Sequence, residues 1–409
     1  MSENKNYIFD SENWSINKDL LDKANNVFLT FKKNIKANNI PVFSLINSDN
    51  DIEEIIKNAK FFTSDNSLKD FILIGTGGSS LGADALIQAY SNNNLNKNIN
   101  FHILDTLDSN SVSRLLDTIN PETSKFLAVS KSGKTTETIA LLLIVIDWLF
   151  LHKIKIDQSI MIMCQTTDSE DQELIEIAKK YYLKVIQHEN IGGRFSALTS
   201  TGLLPATIMG INPYSIRKAA KKALKNIFKN NDFILSSSVF SEVQKLNCVI
   251  HYGDALTSFV NWYKQLWNES LGKDSKGSFL LTAKGSIDQH SQLQMWLDGP
   301  NIGNYTFIVV ENIEGYTLPS LKTKSLLSGL TLGQIQNIMA ESTFDALKEN
   351  NRSVRSISIK EITVENVAEL MVTLILEVLV IAELMEVDPY TQNAVEKIKT
   401  NVSKRLKHL

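Results

Sequence analysis

The fold is decided by residues 71–82, FILIGTGGSSLG, where an apolar run ends in a glycine-rich turn. The run at 71–74 is typical of a buried strand, and a helical pattern follows from Ala83. A glycine-rich turn between a strand and a helix presents backbone N–H groups at the helix N-terminus, which suits a phosphate. The G-x-G-x-x-G motif of dinucleotide-binding proteins is incomplete, because Ser80 occupies its last position. A tight turn without a ligand is the alternative for this segment alone.

Similar apolar runs recur along the chain and alternate with helical patterns. Those in the first half lie at residues 101–104, 126–129, 160–163 and 184–186, and a second set lies at 249–252, 279–281, 305–310 and 356–359. Continuous apolar runs between helices predict parallel sheets that are covered on both faces. We therefore expect an α/β protein with two tandem doubly wound sheets and helical segments at both ends. The predicted divisions are 1–45, 46–210, 211–362 and 363–409.

Four segments outside the predicted strands are interpreted as helices. The first 40 residues favour a helix broken at Pro41, and the basic stretch 217–229 favours a solvated helix. Residues 364–387 are apolar nearly all round and predict a buried helix, whose scattered glutamates argue against a membrane span. A short amphipathic helix from Tyr390 is expected to close the fold.

Composition excludes several classes of protein. The 409 residues include 42 Lys plus Arg and 45 Asp plus Glu, so the net charge is −3 and no nucleic-acid partner is expected. Two cysteines, Cys164 and Cys248, cannot form a disulfide framework and are predicted to be buried free thiols. The first ten residues lack the pattern of a secretory signal. We expect a cytoplasmic protein with no membrane partner.

A second candidate phosphate loop, SKSGKTTET, occupies residues 130–138 after the third predicted strand. It is not a P-loop, because the first glycine of that motif would fall on Ala128. Ser130, Ser132 and Thr135 can donate to phosphate oxygens, and Thr136 is a candidate helix cap. A capped helix with exposed hydroxyls is the alternative, and it is weakened by the presence of two such loops on adjacent strand ends.

Further polar residues stand in patterns that suit catalysis. Arg194 follows paired glycines in residues 190–196, NIGGRFS, and could stabilise an oxyanion. Gln265 and Glu269 are four apart and share one face of a helix that Gly272 ends. His290 lies in a polar, loop-like segment. Taken singly, a packing arginine and a surface glutamate remain alternatives.

The last candidate group is Gln392, Glu396 and Lys399, which share one helical face. An amphipathic C-terminal helix without a role in catalysis is the alternative. The spacing of His, Asp and Glu residues does not resemble a metal site, so no metal is expected.

In this order, these segments resemble the phosphoglucose isomerase family. The resemblance runs from Gly75 to Lys399, and its most specific blocks are Gly-Gly-Arg-Phe-Ser at 192–196 and Gln-x-x-Val-Glu-x-x-Lys at 392–399. It implies two sugar-isomerase (SIS-type) domains of flavodoxin-like, three-layer αβα form. It also implies reversible conversion of glucose 6-phosphate to fructose 6-phosphate, a step of glycolysis and gluconeogenesis, through a cis-enediolate and without a cofactor.

The resemblance assigns a role to each matching residue. Glu269 would move the proton between C2 and C1, Arg194 would stabilise the enediolate, and His290 and Lys399 would assist ring opening. Gln265 would bind the sugar. The phosphate would be held by Gly78, Ser79, Ser130, Lys131, Ser132 and Thr135, with Gln392 lining the same pocket. In the family the histidine comes from the partner subunit, which implies a homodimer.

This chain departs from the family pattern at four positions near these blocks. Lys134 stands where a threonine is usual, Thr391 and Ala394 replace an acidic residue and a glycine, and Asp288 replaces a glycine. The named side chains are kept, while substrate affinity and closure of the site are open to change. A related isomerase of broader specificity, for example one that also accepts mannose 6-phosphate, and a non-catalytic sugar-phosphate sensor are the alternatives.

Overall fold

A computed structural model describes residues 9–10, 17–64, 66–90, 98–166, 172–227, 231–242, 246–313, 315–319 and 325–406. Within these ranges, ten strands form two five-stranded sheets. The strands are β1 (Phe9–Asp10), β2 (Asp70–Ile74), β3 (Asn100–Leu104), β4 (Ser124–Val129), β5 (Ile160–Cys164), β6 (Lys184–Gln187), β7 (Leu246–Tyr252), β8 (Phe279–Gly285), β9 (Gly303–Val310) and β10 (Ser353–Ile359).

Helices connect and cover these strands. They are α1 (Lys18–Lys36), α2 (Pro41–Asn47), α3 (Ile52–Thr63), α4 (Leu81–Tyr90), α5 (Ser109–Thr118), α6 (Thr136–Leu151), α7 (Ile156–Ser159), α8 (Glu173–Tyr181), α9 (Ser200–Ile208), α10 (Pro213–Asn226), α11 (Asn231–Ser241), α12 (Thr257–Leu271), α13 (Gln289–Asp298), α14 (Leu332–Glu349), α15 (Val364–Leu384) and α16 (Asn393–Leu406). Across the described ranges, no helix is long and apolar enough to cross a membrane.

The two sheets share one strand order over their parallel strands. The first has the order β3-β2-β4-β5-β6 with all neighbours parallel, which is the doubly wound order of flavodoxin-like folds. The second has the order β1-β10-β9-β7-β8, and only β1 pairs antiparallel. Read from β8, its parallel strands repeat the order of the first sheet. The predicted fold class is confirmed, and the four divisions of the chain stay a prediction.

Helix α12 joins the two halves of the molecule. It packs against α4 of the first half and against α15, which is buried along nearly its whole length. Apolar side chains from both halves form one continuous core around these helices. The C-terminal end of α12 is therefore held next to the glycine-rich turn that precedes α4.

Three helix predictions need correction. Arg217 is buried and bonded to Asp51 across from α10, so this basic helix is not solvated on all sides. Helix α16 has no buried residue, so it does not close the core. Pro41 is the first residue of α2, where a proline is tolerated, and α1 has already ended at Lys36.

Residues 1–8 and 11–16 of the predicted N-terminal helix lie outside the described ranges, as do 228–230 of the basic stretch. The two thiols are free and buried as predicted.

Candidate active site

The first glycine-rich loop leaves β2 and forms one turn of 3₁₀ helix at Gly77–Ser79. Gly77 has a φ of +56°, a left-handed conformation that favours glycine. A Cβ added at Gly75 would lie 3.0 Å from the Val129 carbonyl oxygen. The loop therefore sits directly against the end of β4, where the second loop begins, and half-buried Ser79 belongs to this junction.

The second loop is held together by its own hydroxyl groups. Ser130 is buried, and its Oγ lies 2.7 Å from Oγ1 of Thr135. Ser132 is exposed, and its Oγ accepts a hydrogen bond from the backbone N–H of Lys134 at 3.2 Å. Thr135 is the N-cap residue of α6, so the predicted cap at Thr136 is wrong. These hydroxyls, with the backbone N–H groups at the start of α6, form a surface that suits a phosphate.

Lys131 is one of the two lysines of this loop, together with Lys134. It is half-buried, and burial lowers the pKa of its ammonium group. A cation that has lost part of its hydration gains more from a bound dianion than an exposed cation does.

The Gly-Gly-Arg turn packs directly on the first loop. A Cβ added at Gly78 would lie 2.2 Å from the carbonyl carbon of Gly193, so glycine is required at this close approach. The Ser196 hydroxyl also bridges the two loops, since it lies 2.7 Å from the Gly193 carbonyl and 3.3 Å from the Gly78 carbonyl. This contact fixes the direction in which the next residue, Arg194, leaves the turn.

Arg194 is fully buried, and each of its three guanidinium nitrogens donates at least one hydrogen bond. Nε donates to Ser270 Oγ at 2.9 Å, and Nη1 donates to Glu269 Oε2 at 3.3 Å. Nη2 donates to the carbonyl oxygens of Pro389 and Thr391. Burial lowers the pKa of Arg194, and Glu269 offsets part of this effect. The arginine thus joins the first half of the chain to α12 and to the segment before α16.

Gln265 and Glu269 occupy one face of α12, as their spacing predicts. Gln265 Nε2 donates to Glu269 Oε1 at 3.0 Å. A Cβ at Gly77 would lie 2.9 Å from the same Nε2. The Gln265 Oε1 atom is buried and, among the described residues, has no hydrogen-bond partner. This carbonyl is therefore an acceptor available for a substrate hydroxyl.

These contacts close into a ring, which we call the catalytic ring. Its members follow one another in space as Gly77, Gln265, Glu269, Arg194 and the contact of Gly193 with Gly78. The Glu269 side chain is 33% exposed, so the ring opens to solvent at its carboxylate. A carboxylate held by a cation and an amide, next to two loops that suit a phosphate, can move a proton on a bound substrate.

Two contacts at this ring were not predicted from sequence. Ser270 accepts from Arg194, and the Lys273 ammonium donates to the Thr391 carbonyl. Both residues lie within four positions of Glu269 in the sequence. This nearness was the one sequence feature that could have indicated a place at the site.

His290 lies away from the catalytic ring of its own chain. It is exposed on the first turn of α13, so the loop-like setting predicted for it is wrong. Asn268, next to Glu269, bonds Leu280 near the start of β8, whereas His290 follows the end of that strand. A strand rises about 3.3 Å per residue, so β8 separates them by roughly 16 Å.

The C-terminal candidates also lie outside the ring. Gln392 is half-buried next to Thr391, which Arg194 binds. The side chain of Lys399 is 64% exposed, and its Nζ lies 2.7 Å from Glu396 Oε1 on the same helix. The side chains of the ring are thus those of Arg194, Gln265 and Glu269, with the two candidate phosphate loops beside them. His290 and Lys399 are not part of the ring.

Comparison with known proteins shows which family this chain is similar to. The family model of phosphoglucose isomerase matches residues 47–409. A glucose-6-phosphate isomerase of Thermus thermophilus is 31% identical over 354 residues, which cover 83% of this chain and 84% of the relative. That of Rubrobacter xylanophilus is 32% identical over 348 residues, 80% of each chain.

Two solved structures have a similar fold. One, a hypothetical protein of Thermus thermophilus, has a TM-score of 0.87 at 27% identity, over 98% of this chain and 99% of that one. A glucose-6-phosphate isomerase of Chlamydia trachomatis has a TM-score of 0.73 at 18% identity, over 87% of this chain and 74% of that one. The family match over most of the chain and the identity to its members lead to one conclusion: the chain belongs to the phosphoglucose isomerase family.

Proposed function

We propose that this chain is a glucose-6-phosphate isomerase, which interconverts glucose 6-phosphate and fructose 6-phosphate. The observation that carries the proposal is the catalytic ring, in which a solvent-accessible carboxylate, Glu269, is held between Arg194 and Gln265 beside two phosphate loops. Family membership supports the same reaction, since the relatives named above are glucose-6-phosphate isomerases.

Glu269 serves as the base that moves a proton between C2 and C1. The isomerisation needs one carboxylate close to the two carbons, and the proton can return on the same face of the enediolate. Gln265 Nε2 and Arg194 Nη1 fix the two carboxylate oxygens. The buried Gln265 Oε1 accepts a sugar hydroxyl.

Arg194 stabilises the negative charge that develops on the enediolate oxygen. A guanidinium group has five N–H groups, and its four described acceptors use four of them. One Nη1 hydrogen is left to face the substrate. A cation that is already fixed in place needs no reorganisation during the reaction.

The phosphate binds to the two loops at the strand ends of the first sheet. Ser79, Ser130, Ser132 and Thr135 supply hydroxyl groups, and Lys131 supplies a partly desolvated positive charge. Gly78 allows the first loop to pack on the Gly-Gly-Arg turn. Gln392 completes this pocket from the segment that Arg194 holds.

His290 acts in ring opening together with Lys399, and it acts on the active site of a partner subunit. The distance along β8 supports this assignment, because His290 and Glu269 of one chain lie at opposite ends of that strand. A homodimer also accounts for the apolar surface along β8 and around α13. Phe279, Leu281, Ile287 and Met295 are 64%, 41%, 62% and 65% exposed, and β8 is an edge strand. Exposed apolar surface of this kind is typical of an interface.

The reaction belongs to the cytoplasm, where free thiols such as Cys164 and Cys248 stay reduced. The predicted divisions fit this assignment: residues 46–210 carry the phosphate loops, 211–362 carry Glu269 and His290, and 363–409 carry Gln392 and Lys399.

A coupled assay with fructose 6-phosphate tests the proposal. Wild type should form glucose 6-phosphate, and Glu269→Gln should reduce kcat by roughly 10²–10⁴-fold because the base is lost. Glu383→Gln is the matched control, since this exposed glutamate lies near the end of α15, outside the catalytic ring. An inactive wild type, or a Glu269→Gln chain as active as the control, would contradict the proposal.

Subunit complementation tests the shared site. Inactive His290→Ala and Glu269→Gln chains are mixed and allowed to exchange subunits. Each heterodimer then has one intact site, so about a quarter of wild-type activity should return in an equal mixture. Demonstrated subunit exchange without any recovery would contradict a histidine that acts across the interface.

A further inference from the structure

We propose that Lys273 is a positioning residue of the active site, which holds the Thr391 carbonyl and thereby fixes the position of Gln392 in the proposed phosphate pocket. The inference deepens the proposed isomerase function and rests on it. The family resemblance assigns no role to Lys273.

The contacts around the segment 388–392 carry the inference. Lys273 and Arg194 donate to the same carbonyl oxygen, that of Thr391, and Arg194 also binds the Pro389 carbonyl. Tyr390 lies in sequence between Pro389 and Thr391, and its ring packs on that of Phe195 with a centroid distance of 5.5 Å. The two basic side chains and the aromatic contact therefore hold the segment by its backbone.

The position of Thr391 in the chain explains what the hydrogen bond from Lys273 can do. Helix α15 ends at Leu384 and α16 begins at Asn393, so Thr391 lies in neither helix. Its carbonyl therefore belongs to no helix end that would need a cap. Because Gln392 is the next residue, the bond restricts where the Gln392 side chain starts, one Cα–Cα step of about 3.8 Å away.

The neighbouring Lys276 makes a different kind of contact and provides a control. Its Nζ donates to the Met385 carbonyl at 2.7 Å, at the C-terminal end of α15. A cation at that end stabilises the helix by satisfying a carbonyl that has no partner within the helix. Lys276 thus supports α15, whereas Lys273 supports the segment that carries Gln392.

The local charges explain why a second cation is tolerated next to Arg194. Burial and the positive charge of Arg194 lower the pKa of Lys273, and the carboxylates of Asp388, Glu269 and Asp274 oppose this effect. Nearby carboxylates thus compensate part of both positive charges. Removal of Lys273 would leave Arg194 as the only described side chain that donates to the Thr391 carbonyl.

The contact also accounts for one departure from the family pattern. Thr391 stands where an acidic residue is usual, but Lys273 and Arg194 bind its backbone oxygen rather than its side chain. Its side chain can therefore change without loss of the tether.

Steady-state kinetics with fructose 6-phosphate test the inference on four chains: wild type, Lys273→Met, Lys273→Arg and Lys276→Met. Lys273→Met should raise KM about ten- to a hundredfold, the size expected for a lost charge-assisted hydrogen bond, with kcat changed less than about threefold. Such a split is expected when the lost contact binds substrate and transition state equally. Lys273→Arg keeps a donor and should restore KM to within about threefold of wild type.

A double-mutant cycle tests whether Lys273 acts through Gln392. In a Gln392→Ala background, Lys273→Met should raise KM by less than about threefold further, because the side chain that it positions is already gone. Hydrogen exchange supplies a readout independent of activity. Peptides that cover residues 386–394 should exchange faster in Lys273→Met than in Lys276→Met.

Each outcome bears on a separate claim. A wild type that lacks isomerase activity overturns the proposed function and this inference with it. An active wild type whose Lys273→Met variant matches Lys276→Met in KM and in exchange overturns this inference alone. An additive effect in the Gln392→Ala background overturns the route through Gln392.

Discussion

Within the described ranges, two buried arginines pair with glutamates, one in the catalytic ring and one between the second sheet and α15. Arg194 and Glu269 are 3.3 Å apart, and the glutamate side chain is 33% exposed. Arg355 and Glu377 are 2.6 Å apart, and both side chains are 0% exposed. The same two residue types thus form an open pair and a sealed pair.

The surroundings of the sealed pair satisfy it completely. Tyr263 and Ser236 donate to the two oxygens of Glu377, and the guanidinium of Arg355 lies 4.0 Å from the ring centre of Phe240. These contacts connect β10, α15, α12 and α11. The sealed pair holds the second half of the core together.

The pKa shifts of the two arginines have opposite signs. Burial lowers the pKa of both guanidinium groups, and the neighbouring carboxylates raise it. For Arg355 the attraction of Glu377 and Tyr263 outweighs burial, so its pKa is raised overall. For Arg194 burial outweighs Glu269, so its pKa is lowered overall. The charge of Arg194 is incompletely compensated by its own chain, and an enediolate would supply the missing negative charge.

Breaking the sealed pair should produce the largest loss of stability. Glu377→Gln leaves the Arg355 charge buried without its carboxylate, and the free energy of unfolding should fall by about 3–5 kcal/mol. Urea unfolding measures this loss. The kcat of the folded fraction should stay within about twofold of wild type, since the pair does not touch the ring.

The double variant Arg355→Met with Glu377→Leu sharpens this prediction. Replacement of both charges by apolar side chains of similar size removes the unpaired charge, and it should recover most of the lost stability. A double variant no more stable than Glu377→Gln would show that the pair itself, rather than the orphaned charge, sets the stability.

Breaking the open pair should cost activity instead. Arg194→Lys keeps a positive charge but loses the planar set of donors, and kcat should fall roughly 10²–10³-fold. Arg217→Lys is the matched control, because Arg217 is equally buried but pairs with Asp51 outside the ring. Equal kcat values for the two variants would contradict a catalytic role for Arg194.

A smaller, pH-dependent effect on the free energy of unfolding is expected from His251 near the end of β7. Burial lowers its pKa from 6.5 to about 4. The folded chain favours the neutral imidazole. The contribution of this group to stability is therefore complete above pH 6.5 and is lost as the pH falls from 6.5 towards 4. The loss amounts to at most about 3 kcal/mol, at 1.36 kcal/mol per pKa unit. Urea unfolding at pH 7 and pH 5 should show a smaller difference for His251→Gln than for wild type, whereas equal differences would exclude His251 as the source.

The sequence predicted the strands well where they are apolar and less well where a charge is buried. The run at 356–359 was recognised, yet β10 begins at Ser353, because Arg355 interrupts the apolar pattern. Its partner Glu377 lies 22 residues further on. Arg217 was predicted on a solvated face for the same reason, since its partner Asp51 lies 166 residues away. Burial of a charge depends on a distant partner, which local periodicity does not contain.

In the candidate site, too, contacts between residues close in sequence were predicted and contacts between distant residues were not. The spacing of Gln265 and Glu269 predicted their shared face, and the 3.0 Å bond confirms it. The ion pair of Arg194 with Glu269 spans 75 residues, and no spacing rule connects them. Lys273 was missed because it binds a backbone carbonyl, which is the same for every residue type.

The most direct test of the open pair is proton exchange during turnover. Fructose 6-phosphate is incubated in D₂O with wild type, Glu269→Gln or Glu383→Gln, and deuterium in the recovered sugar phosphates is measured by mass spectrometry. If Glu269 carries the proton, wild type and Glu383→Gln will incorporate deuterium, and Glu269→Gln will do so at least about 10²-fold more slowly. Incorporation by Glu269→Gln at the wild-type rate would contradict the assignment of Glu269 as the base.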